Sequence, residues 1–223
     1  MARRDRSPRS RDAPVPPDTS PAELFRLGAV PGATPGKWIS LWRERMPRTR
    51  LELVEISPAS QRDQLVAGSV DAALVRLPID KTDLHAIPLY DEVPVVVFSS
   101  DSALSVAEEL TPEELTPEDL AGEVLIVPED DVLRVTAPGT LEPRFVTPTD
   151  TKAAVELAAA GVGILIVPMS LARLHHRKDV TYRTLAGGPT SSIALAWVAE
   201  RTTPEVEAFV GIVRGRSTRS SRS

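Results

Sequence analysis

The chain has 223 residues, of which 42% are hydrophobic and 26% charged, and it has no cysteine. This composition specifies a globular body with a sizeable core, and it excludes disulfides, thiolate nucleophiles and cysteine-ligated metals. The formal net charge of −5 is unevenly spread: residues 1–12 hold five Arg and residues 214–223 hold four, so the body between them is strongly acidic. An acidic body is a poor platform for phosphate backbones. Residues 82–133 contain neither Lys nor Arg, which makes that surface repulsive to nucleic acid.

In chain order, residues 1–21 read as a disordered tail, with Pro14, Pro16, Pro17 and Pro21 among Arg, Ser and Asp. The same composition denies Arg3 and Arg4 the apolar stretch that a signal peptide needs, and no apolar run reaches the roughly 18 residues of a membrane span. A cytoplasmic protein without membrane contact is expected. Residues 24–30 read as a strand, ended by Pro31-Gly32. A helix follows over 37–46, with Trp38, Leu41, Trp42 and Met46 at helical spacing. A strand over 51–56, a helix holding Gln61, Leu65 and Val66 with Gly68 at its end, and a strand over 70–75 complete a β-α-β-α-β order. That order argues for parallel pairing with helices on the sheet faces.

Farther on, residues 89–99 contain the apolar run Val95-Val96-Val97-Phe98. Two pentads, Thr111-Pro112-Glu113-Glu114-Leu115 and Thr116-Pro117-Glu118-Asp119-Leu120, each have the Thr, Pro and acid of a helix start. A short strand is expected at 124–127, a helix at 151–160 ended by Gly161 and Gly163, a strand at 164–167, and a short helix at 169–174. Strands at 180–185 and 193–199 and a helix from Thr203 to about Arg214 close the body. Residues 214–223 read as a second disordered basic tail.

Catalytic and metal motifs are missing. The sequence has no Gly-x-Ser-x-Gly elbow, phosphate loop, His-Glu-x-x-His or complete dinucleotide fingerprint. Gly161-Val162-Gly163 follows a helix, where a cap and tight turn are expected, whereas a dinucleotide loop precedes one. His175 and His176 are adjacent and point about 100° apart on a helix, which does not suit chelation. Asp130 and Asp131 read as a solvated acidic turn. No metal and no cofactor is expected.

The segments Leu27-Gly28-Ala29-Val30-Pro31-Gly32, Leu41-Trp42-Arg43-Glu44-Arg45-Met46-Pro47, Val70-Asp71-Ala72-Ala73-Leu74-Val75-Arg76-Leu77-Pro78 and Ala159-Ala160-Gly161-Val162-Gly163-Ile164 occur in order and at fitting spacings. Together they resemble the substrate-binding (effector) domain of LysR-type transcriptional regulators, over about residues 24–213. The resemblance implies an α/β, two-lobed, type-II periplasmic-binding-protein-like fold with two crossover strands. Lobe I would be residues 22–97 plus 191–213 and lobe II residues 98–190, with crossovers near 95–99 and 191–193. It also implies a small-molecule effector in the cleft, a homodimer and a role in transcriptional regulation. Family members carry an N-terminal winged helix-turn-helix, whereas the Pro/Arg-rich residues preceding the first strand here do not suit one. The expectation is therefore a sensor that acts through a protein partner or through its basic tails, without direct sequence-specific DNA binding.

The resemblance and the helix starts expected at the cleft assign the ligand site to Pro31, Gly32, Thr34, Ser57, Arg76, Phe98, Ser99, Thr149 and Pro168. Free N–H groups at helix starts favour anions, so the expected effector is an anionic carboxylate. Arg76 stands at the carboxyl end of a parallel strand, where open α/β sheets place ligands, and its guanidinium suits a bidentate carboxylate pair. The competing role for Arg76 is a structural ion pair across the lobes, to an acid of 129–131. Two other functions fit the same fold: an enzyme resembling prephenate dehydratase, in which Pro143-Arg144-Phe145 would stand for a Thr-Arg-Phe triplet, and a solute-binding protein for transport. No enzymatic activity is expected.

Overall fold

The computed structural model describes residues 23–106 and 114–215. The expected tails therefore lie outside the described residues, apart from Arg214 and Gly215, and so does the start of the first pentad. Two five-stranded sheets carry the fold. The first has the order β2-β1-β3-β10-β4 and the second β6-β9-β5-β8-β7. The α/β, two-lobed, type-II periplasmic-binding-like architecture expected from the sequence is the one found.

In the first lobe β1 (Glu23–Ala29) is flanked in parallel by β2 (Thr49–Glu55) and β3 (Ala72–Arg76). Helix α1 (Gly36–Arg45) connects β1 to β2, and α2 (Gln61–Val66) connects β2 to β3. The late strand β10 (Ser191–Val198) inserts antiparallel between β3 and β4 (Leu84–Glu92). Aromatic residues are few, and three of them meet at one point of the core, with Phe25 stacked on Trp42 and Phe209 tilted against both. Phe25 lies 4.6 Å from Trp42 and 5.5 Å from Phe209 of α6 (Pro204–Val213), ring centre to ring centre. The Trp42 indole N–H finds a buried acceptor in the Thr49 carbonyl at 3.0 Å. Pro88, which cannot donate to a ladder, is tolerated because β4 is an edge strand.

The second lobe is built on β5 (Pro94–Ser99), which is antiparallel to both β8 (Ile164–Pro168) and β9 (Val180–Leu185). Helices α4 (Thr151–Ala159) and α5 (Met169–Leu174) cover one face, against Val95 and Val97. Leu115, Leu120 and Ala137 cover the other, against Val96 and Phe98. Both faces of β5 are therefore dry, which is why its sequence is an unbroken apolar run rather than an alternating one. The short strands β6 (Glu114–Leu115) and β7 (Leu125–Ile126) finish the edges, and α3 (Ala103–Val106) is a single turn.

Two expectations need correction. The crossing between lobes falls at Val93, because Pro94 already pairs with Pro168 in the second sheet. Residues 94–97 thus belong to lobe II, and the return crossing lies at 186–190, before β10. The first pentad ends in β6 and not in a helix, whereas the second does open a helix, the 3-10 helix Pro117–Leu120. Its Thr116 donates from both backbone N–H and hydroxyl to the Asp119 carboxylate, at 2.7 and 2.8 Å, and these bonds hold that carboxyl below the usual range.

The two glycines after α4 do different work. Gly161 takes φ +71°, the left-handed conformation of a helix end, with open space around it. Gly163 has no such φ, but a Cβ there would overlap the Val124 carbonyl oxygen, which accepts the Ile164 N–H at 2.8 Å. Gly161→Ala should cost about 1–2 kcal/mol of left-handed strain. Gly163→Ala should cost about 1–3 kcal/mol by pushing β7 off β8. Urea unfolding should show a lowered midpoint for both, with Leu125 and Ile126 amide exchange accelerated selectively in the Gly163 variant.

Candidate functional site

The parallel strands β1 and β3 end side by side at the cleft between the lobes. Val30 donates its N–H to Leu74 at 3.1 Å, and the chain then turns at Pro31-Gly32 with Gly32 at φ +85°. At the end of β3 the backbone of Arg76 is clamped by one side chain. The Gln61 amide donates to the Arg76 carbonyl and accepts the Arg76 N–H, both at 2.9 Å. Gln61 opens α2, so this pair joins helix start to strand end.

The Arg76 side chain is 3% exposed and Glu92 is 8% exposed. Nη1 of Arg76 donates to Glu92 at 2.7 Å and to the hydroxyl of Ser191. Nη2 donates to the Pro31 carbonyl at the longer distance of 3.3 Å. Nε is buried and has no partner among the described residues. Glu92 is the last residue of β4 and Ser191 the first of β10, and the two are paired in register. One guanidinium thus gathers the end of β3, the loop after β1 and both chain crossings. The acid that pairs with it is Glu92 of the same lobe, in place of the expected 129–131 partner.

Two adjoining cavities of about 250 and 460 Å³ form the cleft, sharing Pro58, Arg76, Asp130 and Val132. The smaller also touches Pro31, Thr151 and His175, and the larger touches Ser57 and Gln61. On the lobe II wall, Thr151 donates its hydroxyl to Asp130 at 2.9 Å. Asp131 accepts the Leu133 and Arg134 N–H groups at 3.0 Å, which bends the loop over the cleft. A third cavity of about 550 Å³ is lined by Gly32, Thr34, Tyr90, Glu92, Ser170 and Arg173, among others. There burial, then the nearby Glu92 charge, push the Tyr90 hydroxyl up from its ordinary pKa. Thr34 opposes that shift through its hydrogen bonds to Tyr90.

Of the expected site residues, Pro31, Ser57 and Arg76 come together in the cleft, and Gly32 and Thr34 face the third cavity. The other four line none of the three cavities. Phe98 is 1% exposed in the lobe II core, because β5 belongs wholly to that lobe. Ser99 accepts the Asp101 N–H at 3.3 Å in a turn. Thr149 is exposed, and the α4 cap is its neighbour Asp150, which accepts the Ala153 N–H at 2.7 Å. Pro168 is buried at the end of β8. Pro143, Arg144 and Phe145 also stay outside these cavities, and Phe145 packs against the α4 core. Among the described residues no group of three or more His, Asp or Glu could hold a metal, and no helix is long and apolar enough to cross a membrane.

Comparison with known proteins agrees with this fold. The family model described as LysR substrate binding domain matches residues 18–218. The Hca operon transcriptional activator HcaR of Escherichia coli is 26% identical over 204 residues, covering 85% of this chain and 67% of its own. The transcriptional regulator AlsR of Bacillus subtilis is 26% identical over 187 residues, covering 82% and 62%. The chain thus spans about two thirds of the length of the curated relatives it matches. Among solved structures, the BenM effector binding domain with its effector benzoate has a TM-score of 0.69 at 21% identity, covering 88% of this chain and 92% of that one. The oxidised form of OxyR has a TM-score of 0.67 at 23% identity, covering 87% and 96%.

Glu92→Gln should strip the buried guanidinium of its counter-charge and cost about 3 kcal/mol. The double variant Arg76→Gln with Glu92→Gln should cost less than Glu92→Gln alone, since no unpaired charge is left behind. A double-mutant cycle by urea unfolding reads the coupling directly.

Proposed function

The chain belongs to the LysR substrate-binding domain family, and on that premise we propose that it is an effector-binding module for transcriptional regulation that takes a small carboxylate against Arg76. The curated relatives are transcriptional regulators. The observation that carries the carboxylate reading is the state of the guanidinium. Its Nη1 is occupied by Glu92 and Ser191, while Nε has no partner and Nη2 makes one long bond. Nε and Nη2 form the side-on edge that a carboxylate grips with two parallel hydrogen bonds. An unsatisfied buried donor on a cleft wall carries a desolvation penalty that a ligand acceptor relieves.

The pairing with Glu92 supports the same reading in another way. It holds the guanidinium in one orientation before the ligand arrives, so less side-chain freedom is lost on binding. Closure of lobe II, including the Asp130 loop and the start of α4, over the bound ligand would change the surface offered to a partner. Benzoate, the effector named for the BenM structure, is a carboxylate, in keeping with this chemistry. The reading includes a homodimer in the cytoplasm.

The test is a thermal-shift series of the wild-type chain against benzoate and other small mono- and dicarboxylates, with the Arg76→Gln/Glu92→Gln double variant beside it. At one hundred times its dissociation constant a ligand adds about 2.7 kcal/mol, which raises the midpoint by about 5–10 °C for a chain of this size. The expected result is a shift in the wild type that vanishes in the double variant. An equal shift in both, or none from any carboxylate, overturns the proposal.

A further inference from the structure

Resting on the carboxylate reading above, we infer that the ligand is an ampholyte: a small, amino-acid-like molecule whose carboxylate meets Arg76 and whose ammonium meets Asp130. The charge around the smaller cavity is unbalanced. Apart from His175, its charged groups are Glu55, Asp130 and Asp150 against Lys152 and Arg76. The Arg76 charge is already matched by Glu92 at 2.7 Å. The cavity therefore faces a ligand with an excess of carboxylates, which repels a simple anion. The Nε of Arg76 nevertheless lacks an acceptor. A molecule that brings both an acceptor and a cation satisfies both conditions; a plain carboxylate satisfies only one.

Asp130 is the acid built for the second contact. Asp150 is committed to the α4 cap through the Ala153 N–H. Asp130 is oriented by Thr151, itself only 2% exposed, which donates to Oδ1 and leaves Oδ2 without a partner among the described residues. Asp130 and Arg76 lie on opposite lobes and line both cavities of the cleft. A ligand bridging them would draw the lobes together. The smaller of the two cavities, at about 250 Å³, suits a small metabolite.

The experiment uses matched pairs, each an α-amino acid and the acid lacking its amine: alanine with propanoate, leucine with 4-methylpentanoate, phenylalanine with 3-phenylpropanoate, glutamate with glutarate. Binding is read by thermal shift and calorimetry on the wild type, on Asp130→Asn and on the Arg76→Gln/Glu92→Gln variant. Asparagine at 130 still accepts from Thr151, so that variant keeps the loop. The expected result is one amino acid that binds at least tenfold more tightly than its deaminated partner. Asp130→Asn should remove most of that preference, and the double variant should abolish binding of both. If a deaminated acid binds as well as or better than its amino acid, and needs Arg76, the ampholyte inference falls while the carboxylate reading stands. If Asp130→Asn leaves the preference intact, Asp130 is not the ammonium site. If no member of any pair binds, both readings fall together.

Discussion

A guanidinium buried between β3 and the two chain crossings is the constraint on which the rest of this structure depends. Taking a charge out of water is expensive, and it persists only where a counter-charge and hydrogen bonds replace the lost solvent. Here Glu92, Ser191 and the Pro31 carbonyl supply that replacement, and each comes from a different segment. Gln61 adds a fourth by clamping the backbone on either side of the same residue. The end of β3 is therefore over-determined, and the two crossings between lobes are tied to it.

The two cores position this group without touching its chemistry. In the first lobe the stack of Phe25, Trp42 and Phe209 fixes α1 and α6 against the sheet, so that β1 and β3 end at one level. In the second, β5 is buried on both faces and holds β8 and β9 as a rigid plate. Polar groups then gather where the plates face each other. Lobe I contributes a buried cation whose Nε has no partner among the described residues, and lobe II contributes a carboxylate held by a buried threonine. The two walls are unlike, and that asymmetry gives the cleft an orientation for its ligand.

The parts of this account that depend on local order were legible in the sequence. Periodicity around Trp38, Leu41 and Trp42 marked α1, and the strand-then-Arg pattern at Val70–Arg76 marked the residue at the cleft. What stayed hidden depends on pairing over long distances. Glu92 and Ser191 lie 16 and 115 residues from Arg76, and no local pattern distinguishes them from ordinary strand ends. Phe98 was misplaced because an apolar run looks the same whether it lines a cleft or fills a core. Thr149, expected at the ligand, is exposed beside Asp150, the residue that caps α4. Asp130 read as a solvated turn because its anchor, Thr151, lies 21 residues on.

The central claim is that the unfilled Nε edge of Arg76 is what a ligand carboxylate meets. The most direct measurement is the arginine Nε–H region of the 15N-correlated NMR spectrum, with the Arg76 signal assigned by its loss in the Arg76→Gln/Glu92→Gln variant. The protein is titrated with small carboxylates with and without an amine. The account predicts that the compound which binds moves the Arg76 Nε–H signal downfield, as a new charge-assisted hydrogen bond forms. A carboxylate that shifts backbone signals around the cleft while leaving Arg76 Nε–H unchanged would contradict it, as would a panel that moves nothing.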